Sequence, residues 1–151
     1  MRVDEIAQLQ GADLNIAVAK AIGWIAEEIQ PGAWRVRLGD MKYSCKDPFD
    51  EEKVWYSLFS GTAFDYQGSN SDTFSLLLAA RKMGILGNLQ PADGVLWKAG
   101  MEIVSIGQSI YWTSETPGIA ICRAFLLAVN FHEIRLVECL DIKTPKRRYN
   151  P

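Results

Sequence analysis

The side chains that could do chemistry in this sequence do not form a catalytic motif. The chain has one histidine, His132, followed by Glu133, and no motif places a serine or cysteine nucleophile beside it. Its three cysteines, Cys45, Cys122 and Cys139, include no CxxC pair, whereas structural zinc needs four Cys or His ligands at paired spacings. Neither a P-loop nor a GxGxxG fingerprint occurs. We therefore expect no metal and no cofactor, and the sequence disfavours an enzyme.

Tryptophan, tyrosine and arginine are the residues best suited to a recognition site. The chain has five tryptophans and five tyrosines, and these residue types dominate binding hot spots and stack on bases. Arg123 lies in an otherwise apolar segment, where its guanidinium must reach solvent, pair with an acid or meet an anionic ligand. The sequence leaves all three of these environments for the guanidinium open. The predicted ligand-binding residues are Arg123, Trp112, Trp24, Arg35 and Arg37.

The charge is divided unequally along the chain. The net charge is −2, but the last nine residues hold four basic residues and no acid, so residues 1–142 carry 12 basic against 18 acidic residues, a net charge of −6. An acidic body repels a phosphate backbone, which disfavours nucleic acid as a partner. Residues 143–151 have no apolar periodicity. We therefore predict one domain over residues 1–142, followed by a basic, flexible C-terminal tail.

Length and composition indicate an ordinary globular protein. A chain of 151 residues with 48% hydrophobic and 23% charged residues fits a single folded domain. Its longest apolar stretches fall short of the ~18 residues that span a bilayer, and Asp4 and Glu5 do not fit a signal peptide. The sequence predicts a cytoplasmic protein without a membrane partner, and self-association stays open.

Three segments have the spacing and caps of helices. Apolar residues recur at helical spacing over residues 13–22, and Gly23 follows as a C-cap would. Ser69 is a candidate N-cap for a second helix, which we expect to bury Leu77 and Leu78 and to end at Met83 and Gly84. Thr116 and Pro117 open a third helix, apolar on most faces and therefore expected to be central. This third helix is expected to end near His132, whose imidazole would then interact with the helix dipole.

Alternating or β-branched runs predict the strands. Residues 34–38 alternate, residues 54–59 are aromatic and β-branched, and a Gly-bearing link joins residues 101–106 and 110–113 in a hairpin. Residues 134–140 are expected to form a last strand, whereas residues 40–53 show no periodicity and residues 84–87 indicate a turn. Without a βαβα alternation, the elements predict an α+β fold, with a largely antiparallel sheet flanked by three helices in an α/β/α-type sandwich.

Three segments resemble those of a phage family. Residues Gln10–Trp24 (QGADLNIAVAKAIGW) and Glu115–Val129 (ETPGIAICRAFLLAV) resemble the first and last helices of small phage and prophage proteins of the NinX-like and phage ABA-sandwich type. The capped helix SNSDTFSLLLAARKMGI, the hairpin and Trp112 before the last helix follow in the order of that family. The resemblance implies helices flanking a sheet, a phage or prophage origin and a place in the bacterial cytoplasm. It implies no catalytic residues.

Three functional hypotheses follow. The first is a non-enzymatic phage accessory protein that acts in counter-defence, either by sequestering a nucleotide-type immune signal or by masking a host protein. The second is a DNA-associated recombination or packaging accessory that uses the basic tail. The third is a small hydrolase with carboxylates and the histidine, and its candidate residues would be Asp65, Asp93, Glu115 and His132.

Overall fold

The computed structural model describes residues 1–45, 50–61 and 63–142, and the side chains of residues 132–142 lie outside that description. The helices are α1 (Val3–Gln8), α2 (Gly11–Ile22), α3 (Glu51–Phe59), α4 (Asn70–Lys82) and α5 (Pro117–Ile142). The strands are β1 (Ile25–Gln30), β2 (Ala33–Leu38), β3 (Met41–Cys45), β4 (Ile85–Pro91), β5 (Trp97–Ile103) and β6 (Gln108–Ser114). The predicted tail, residues 143–151, lies outside the described residues.

The strands form two sheets instead of one. The first has the order β1-β2-β3 and the second has the order β4-β5-β6, and all pairings are antiparallel. The α+β class is therefore confirmed. The prediction of one sheet with three helices was wrong in detail, since the described residues contain two sheets and five α-helices.

Helix α5 is central, as its nearly uniform apolar character predicts. Its residues Ala120, Ala124 and Phe125 are fully buried, and the helix packs against β5, β6 and α2. Leu14 and Val18 on α2 and Val36 on β2 belong to the same cluster of buried residues. One continuous core therefore joins both sheets through the helices.

Helix α4 begins where the sequence predicts, but it buries a different face. The Ser69 side chain accepts a hydrogen bond from the backbone N–H of Asp72, which is the N-cap arrangement. Leu76 is buried, whereas Leu78 is 46% exposed and Leu77 is half-buried. The expectation that Leu78 points into the core was wrong. Three consecutive leucines offer more than one apolar stripe, and the sequence pattern does not say which one meets the core.

Residues 54–59 are a helix and not the predicted strand. Asp50 caps α3, since its side chain accepts a hydrogen bond from the N–H of Lys53 at 2.9 Å. Val54, Trp55 and Phe59 are buried. A short apolar run fits either element, and here the cap and the packing against α2 decide for the helix. The preceding stretch, which lacks periodicity, contains β3.

The C-terminal strand predicted over residues 134–140 is replaced by helix. Helix α5 continues to Ile142, so His132 lies inside it and not at its end. The predicted turn at residues 84–87 is also mostly strand, because β4 begins at Ile85. Strand β1 was not predicted. The hairpin of β5 and β6 is confirmed, with Gly107 in the left-handed conformation (φ 64°) at its turn.

Within the described residues, no helix is both long and apolar enough to cross a bilayer.

Candidate functional site

A cavity of about 570 Å³ lies between the end of α2, the β2–β3 turn and α4. This volume falls in the range of small-molecule sites, roughly 300 to 1,000 Å³. Its aromatic and aliphatic walls include Trp24, Phe64, Tyr66, Leu38, Met41 and Leu78. Its polar lining consists of Asp40, Asp72, Ser75 and Lys82. We call this space the Trp24 cavity.

Trp24 reaches the cavity because α2 stops abruptly. Gly23 has φ 120°, a value that favours glycine, and its N–H bonds to the carbonyls of Ala19 and Lys20. The N–H of Trp24 also bonds to the Ala19 carbonyl, at 3.1 Å. The chain therefore leaves the helix with the indole already positioned against the core.

Aromatic rings form the floor of the cavity. The Trp24 ring centroid lies 5.2 Å from that of Phe64 and 5.5 Å from that of Phe59, and Phe59 stacks on Phe64 at 5.3 Å. The Trp24 indole N–H donates a 3.0 Å hydrogen bond to the Tyr66 hydroxyl. Burial raises the pKa of Tyr66 to about 12, against a smaller lowering by the Trp24 hydrogen bond. The floor is thus neutral and held in place by its own contacts.

A network of polar groups fixes the loop that carries Phe64 and Tyr66. The Asp65 carboxylate accepts hydrogen bonds from the buried Asn15 amide and from the Gly68 N–H, both at 3.1 Å. The Asp65 N–H donates to the Asp72 carboxylate at 2.8 Å, and the Thr73 hydroxyl donates to the Tyr66 carbonyl at 2.6 Å. These carboxylates organise the loop, and the hydrolase hypothesis, which uses Asp65, gains no support from this arrangement.

The same loop is anchored to two helices at Gln67. Its side-chain N–H donates to the Gly11 carbonyl at the start of α2, at 2.6 Å. Its backbone lies against Gly118 at the start of α5, so closely that a side chain at position 118 would meet the carbonyl group of Gln67. The loop therefore sits between the N-terminal ends of α2 and α5.

Of the five predicted ligand-binding residues, Trp24 alone lines this cavity. Trp112 lies on β6 opposite Ala99 and is half-buried against the core. A terminal N–H of Arg123 donates to the Leu9 carbonyl at 2.8 Å, just after α1, and the buried Nε of Arg123 has no acceptor among the described residues. The structure places these two away from the cavity lining, so their role in ligand binding stays a prediction.

Arg35 and Arg37 lie together on the first sheet. The Glu27 carboxylate on β1 contacts both, at 3.1 Å from Arg37 Nε and 3.5 Å from an Arg35 terminal nitrogen. Lys42 stands opposite Arg37 in the pairing of β2 with β3, so it projects from the same side. We call this group, Glu27, Arg35, Arg37 and Lys42, the basic face. The sequence pattern found its two arginines but not Glu27 or Lys42.

The hydrogen bond from Arg37 holds the pKa of Glu27 below its usual value, and Arg35 acts in the same direction. A lowered folded-state pKa stabilises the fold at neutral pH, and this contribution is lost as the pH falls through that pKa. We expect Glu27→Gln to lower stability at about pH 7 and to have a progressively smaller effect as the pH falls below the usual glutamate pKa of about 4.3. Denaturant unfolding at a series of pH values measures this. A Glu27 carboxyl that titrates at or above its usual value in NMR would contradict the expectation.

Sequence reasoning missed Phe64 and Tyr66. They lie in the stretch between residues 61 and 71, whose glycines, serines and acidic residues predict a loop. The available signal was the pair of aromatic residues inside that polar stretch, because a solvated loop gains nothing from large rings. Tyr66 is indeed 3% exposed.

The described surface has further depressions besides the Trp24 cavity. A depression of about 350 Å³ between α2 and α3 is lined by Asp13, Glu51 and Glu52 among others, and the Tyr56 hydroxyl donates to Asp13 there. This hydrogen bond raises the pKa of Tyr56. The described residues contain no group of three or more His, Cys, Asp or Glu side chains arranged to hold a metal ion.

Comparison of the whole chain with protein-family models and with curated proteins gives no match to either.

Proposed function

We propose that the chain is a non-enzymatic binding protein that takes a planar ring compound into the Trp24 cavity. The observation that carries this proposal is the preformed aromatic floor, in which Trp24, Phe64 and Tyr66 are held by ring contacts and a hydrogen bond. A rigid floor favours affinity because no side-chain entropy is lost when the ligand arrives.

The charges of the lining narrow the class of ligand. Lys82 is the one cation among the described lining residues, and Asp40 and Asp72 are both acidic. Such a wall does not favour several phosphates, so a nucleotide-type ligand would fit here through its base or as a nucleoside. Ser75 and Lys82, which lie on α4, are the groups that would give hydrogen bonds to the polar edge of the ring.

The biological setting rests on the resemblance of the first and last helices to small phage and prophage proteins. In that setting the protein would act in the bacterial cytoplasm as an accessory against host defence, by sequestering a small signal molecule. Masking a host protein is the alternative within the same class.

The proposal is tested by asking what the protein carries and binds. Protein purified from the bacterial host is denatured, and the filtrate is analysed by absorbance near 260 nm and by mass spectrometry. Adenosine is then titrated into the purified chain as a defined ring probe. We expect a released ring compound or saturable adenosine binding, and the absence of both would contradict the proposal.

A cavity-filling substitution connects the binding to this site. Ser75 is exposed on the cavity side of α4, so we expect Ser75→Phe to reduce binding at least tenfold, a loss of about 1.4 kcal/mol. Ser109→Phe adds the same ring at an exposed serine on β6, away from the cavity lining, and should leave binding unchanged. Calorimetry measures both. Equal losses of affinity in the two variants would show that the ligand does not bind in the Trp24 cavity.

A further inference from the structure

The basic face carries more positive charge than its single carboxylate can balance. Arg35, Arg37 and Lys42 stand beside Glu27, and Glu27 is the acidic group that the described residues bring into contact with the two arginines. Between one-third and two-fifths of each of these arginine and glutamate side chains is exposed. The group is therefore accessible to a ligand from solution.

The two guanidinium groups already hold an anion. One oxygen of Glu27 lies 3.1 Å from Arg37 Nε, and its other oxygen lies 3.5 Å from a terminal nitrogen of Arg35. The longer distance indicates a loose contact on the Arg35 side. The buried Nε of Arg35 has no acceptor among the described residues. The arginine pair thus offers more N–H donors than Glu27 accepts.

We propose that the basic face binds a phosphoryl group of a small ligand, which takes the place of the Glu27 carboxylate between Arg35 and Arg37. Lys42 adds a third positive charge beside Arg37. Guanidinium groups suit this ligand because their N–H donors match phosphate oxygens in pairs and stay charged when desolvated. A phosphoryl dianion also gains more from three cations than a carboxylate does.

The site is independent of the Trp24 cavity. Leu38 on β2 and Met41 on β3 line the cavity. Arg37 comes directly before Leu38 and Lys42 directly after Met41. Since successive side chains of a strand point to opposite faces, Arg37 and Lys42 point away from the cavity. Failure of ring binding would leave the phosphoryl site unaffected, and the reverse also holds.

A small ligand fits this face better than a nucleic acid. Residues 1–142 carry a net charge of −6, which repels a long polyanion, whereas a short phosphate senses only the charges within about 8 Å at physiological salt. None of the four residues of the basic face is aromatic, and Ile25, the neighbour that pairs with Arg37 across β1 and β2, is aliphatic. This face therefore gives a base no ring on which to stack.

The first test is calorimetric titration of the full chain with tripolyphosphate at low salt. We expect saturable binding that Arg37→Gln and Arg35→Gln each weaken by about tenfold or more. Arg81→Gln is the matched control, since Arg81 is an exposed arginine on α4, and it should change affinity by less than about twofold. Arg37→Lys keeps the charge and removes the guanidinium fork, so a correctly folded Arg37→Lys variant should also lose most of the binding.

The second test asks whether Glu27 competes with the ligand. Glu27→Gln should tighten tripolyphosphate binding by about threefold or more, whereas Glu102→Gln, which removes an exposed carboxylate from β5, should have a smaller effect. No binding by the native chain, no loss in the arginine variants, or equal effects of the two glutamate variants would overturn the proposal. A DNA duplex of about 20 base pairs is titrated in the same way. If the duplex bound more tightly than tripolyphosphate and Arg37→Gln weakened both to the same extent, the face would be assigned to nucleic acid and the proposal would be overturned.

Discussion

Replacing Gly118 by alanine is expected to lower the free energy of unfolding by about 3 kcal/mol or more. The new methyl group would overlap the carbonyl oxygen of Gln67 and lie 2.6 Å from its carbonyl carbon. These are backbone atoms, so no side-chain rotation relieves the overlap. The loop cannot easily retreat either, because Gln67 is hydrogen-bonded to the Gly11 carbonyl and to the Asn15 side chain.

Chemical denaturation of the variant measures this effect, and for a chain of this size the melting temperature should fall by roughly 6 to 12 °C. Gly94→Ala serves as the control. Gly94 has φ 62°, and a Cβ there meets nothing within 4 Å, so its cost is that of the left-handed backbone alone, about 1 to 2 kcal/mol. Equal losses in the two variants would show that the close approach of α5 to the loop does not limit stability.

Leu76→Ala is expected to cost about 2 to 5 kcal/mol, and Leu78→Ala less than about 1 kcal/mol. Both substitutions remove the same atoms from the same helix. They differ in burial, since Leu76 is fully buried and Leu78 is 46% exposed at the edge of the Trp24 cavity. The cost of the Leu76 variant combines the lost transfer free energy with the cavity that remains in the core.

Urea unfolding of the two variants provides the comparison, and the native slope with denaturant should be retained in both. A larger loss for Leu78→Ala than for Leu76→Ala would reverse the orientation assigned to α4. Such a result would support the orientation predicted from the sequence, in which Leu78 points into the core.

Elements with local caps could be predicted from the sequence. Helix α2 ends at a glycine that adopts φ 120°, α4 begins at a serine that caps it, and α5 begins at Pro117. Each signal acts within a few residues of the chain, so no knowledge of the distant fold is needed.

Elements whose type depends on distant contacts could not be predicted. Residues 54–59 are apolar enough for either a strand or a helix, and the buried positions of α3 pack against α2, about 40 residues earlier in the chain. The wrong prediction of a strand over residues 134–140 could have been avoided from local sequence. No glycine or proline occurs between residues 119 and 144, which favours one long helix over a helix followed by a strand.

The candidate site was predicted only in part, for the same physical reason. Trp24 stood out as a large aromatic residue just after a helix, but its partners Phe64 and Tyr66 come from a loop about 40 residues later. Tertiary contacts bring that loop to the indole, among them the polar network around Asp65 and the hydrogen bond of Gln67 to the start of α2. Arg35 and Arg37 were found because strand alternation puts them on one face.

Both sheets consist of strands that are consecutive in the chain, and this arrangement bears on the speed of folding. Each hairpin closes a short loop, so the chain entropy lost before its first contacts form is small. The contacts of α5 with α1 and α2 join segments separated by about 100 residues. Since distant contacts are the slow ones to form, we expect the two small sheets to appear early and the docking of α5 to set the folding rate.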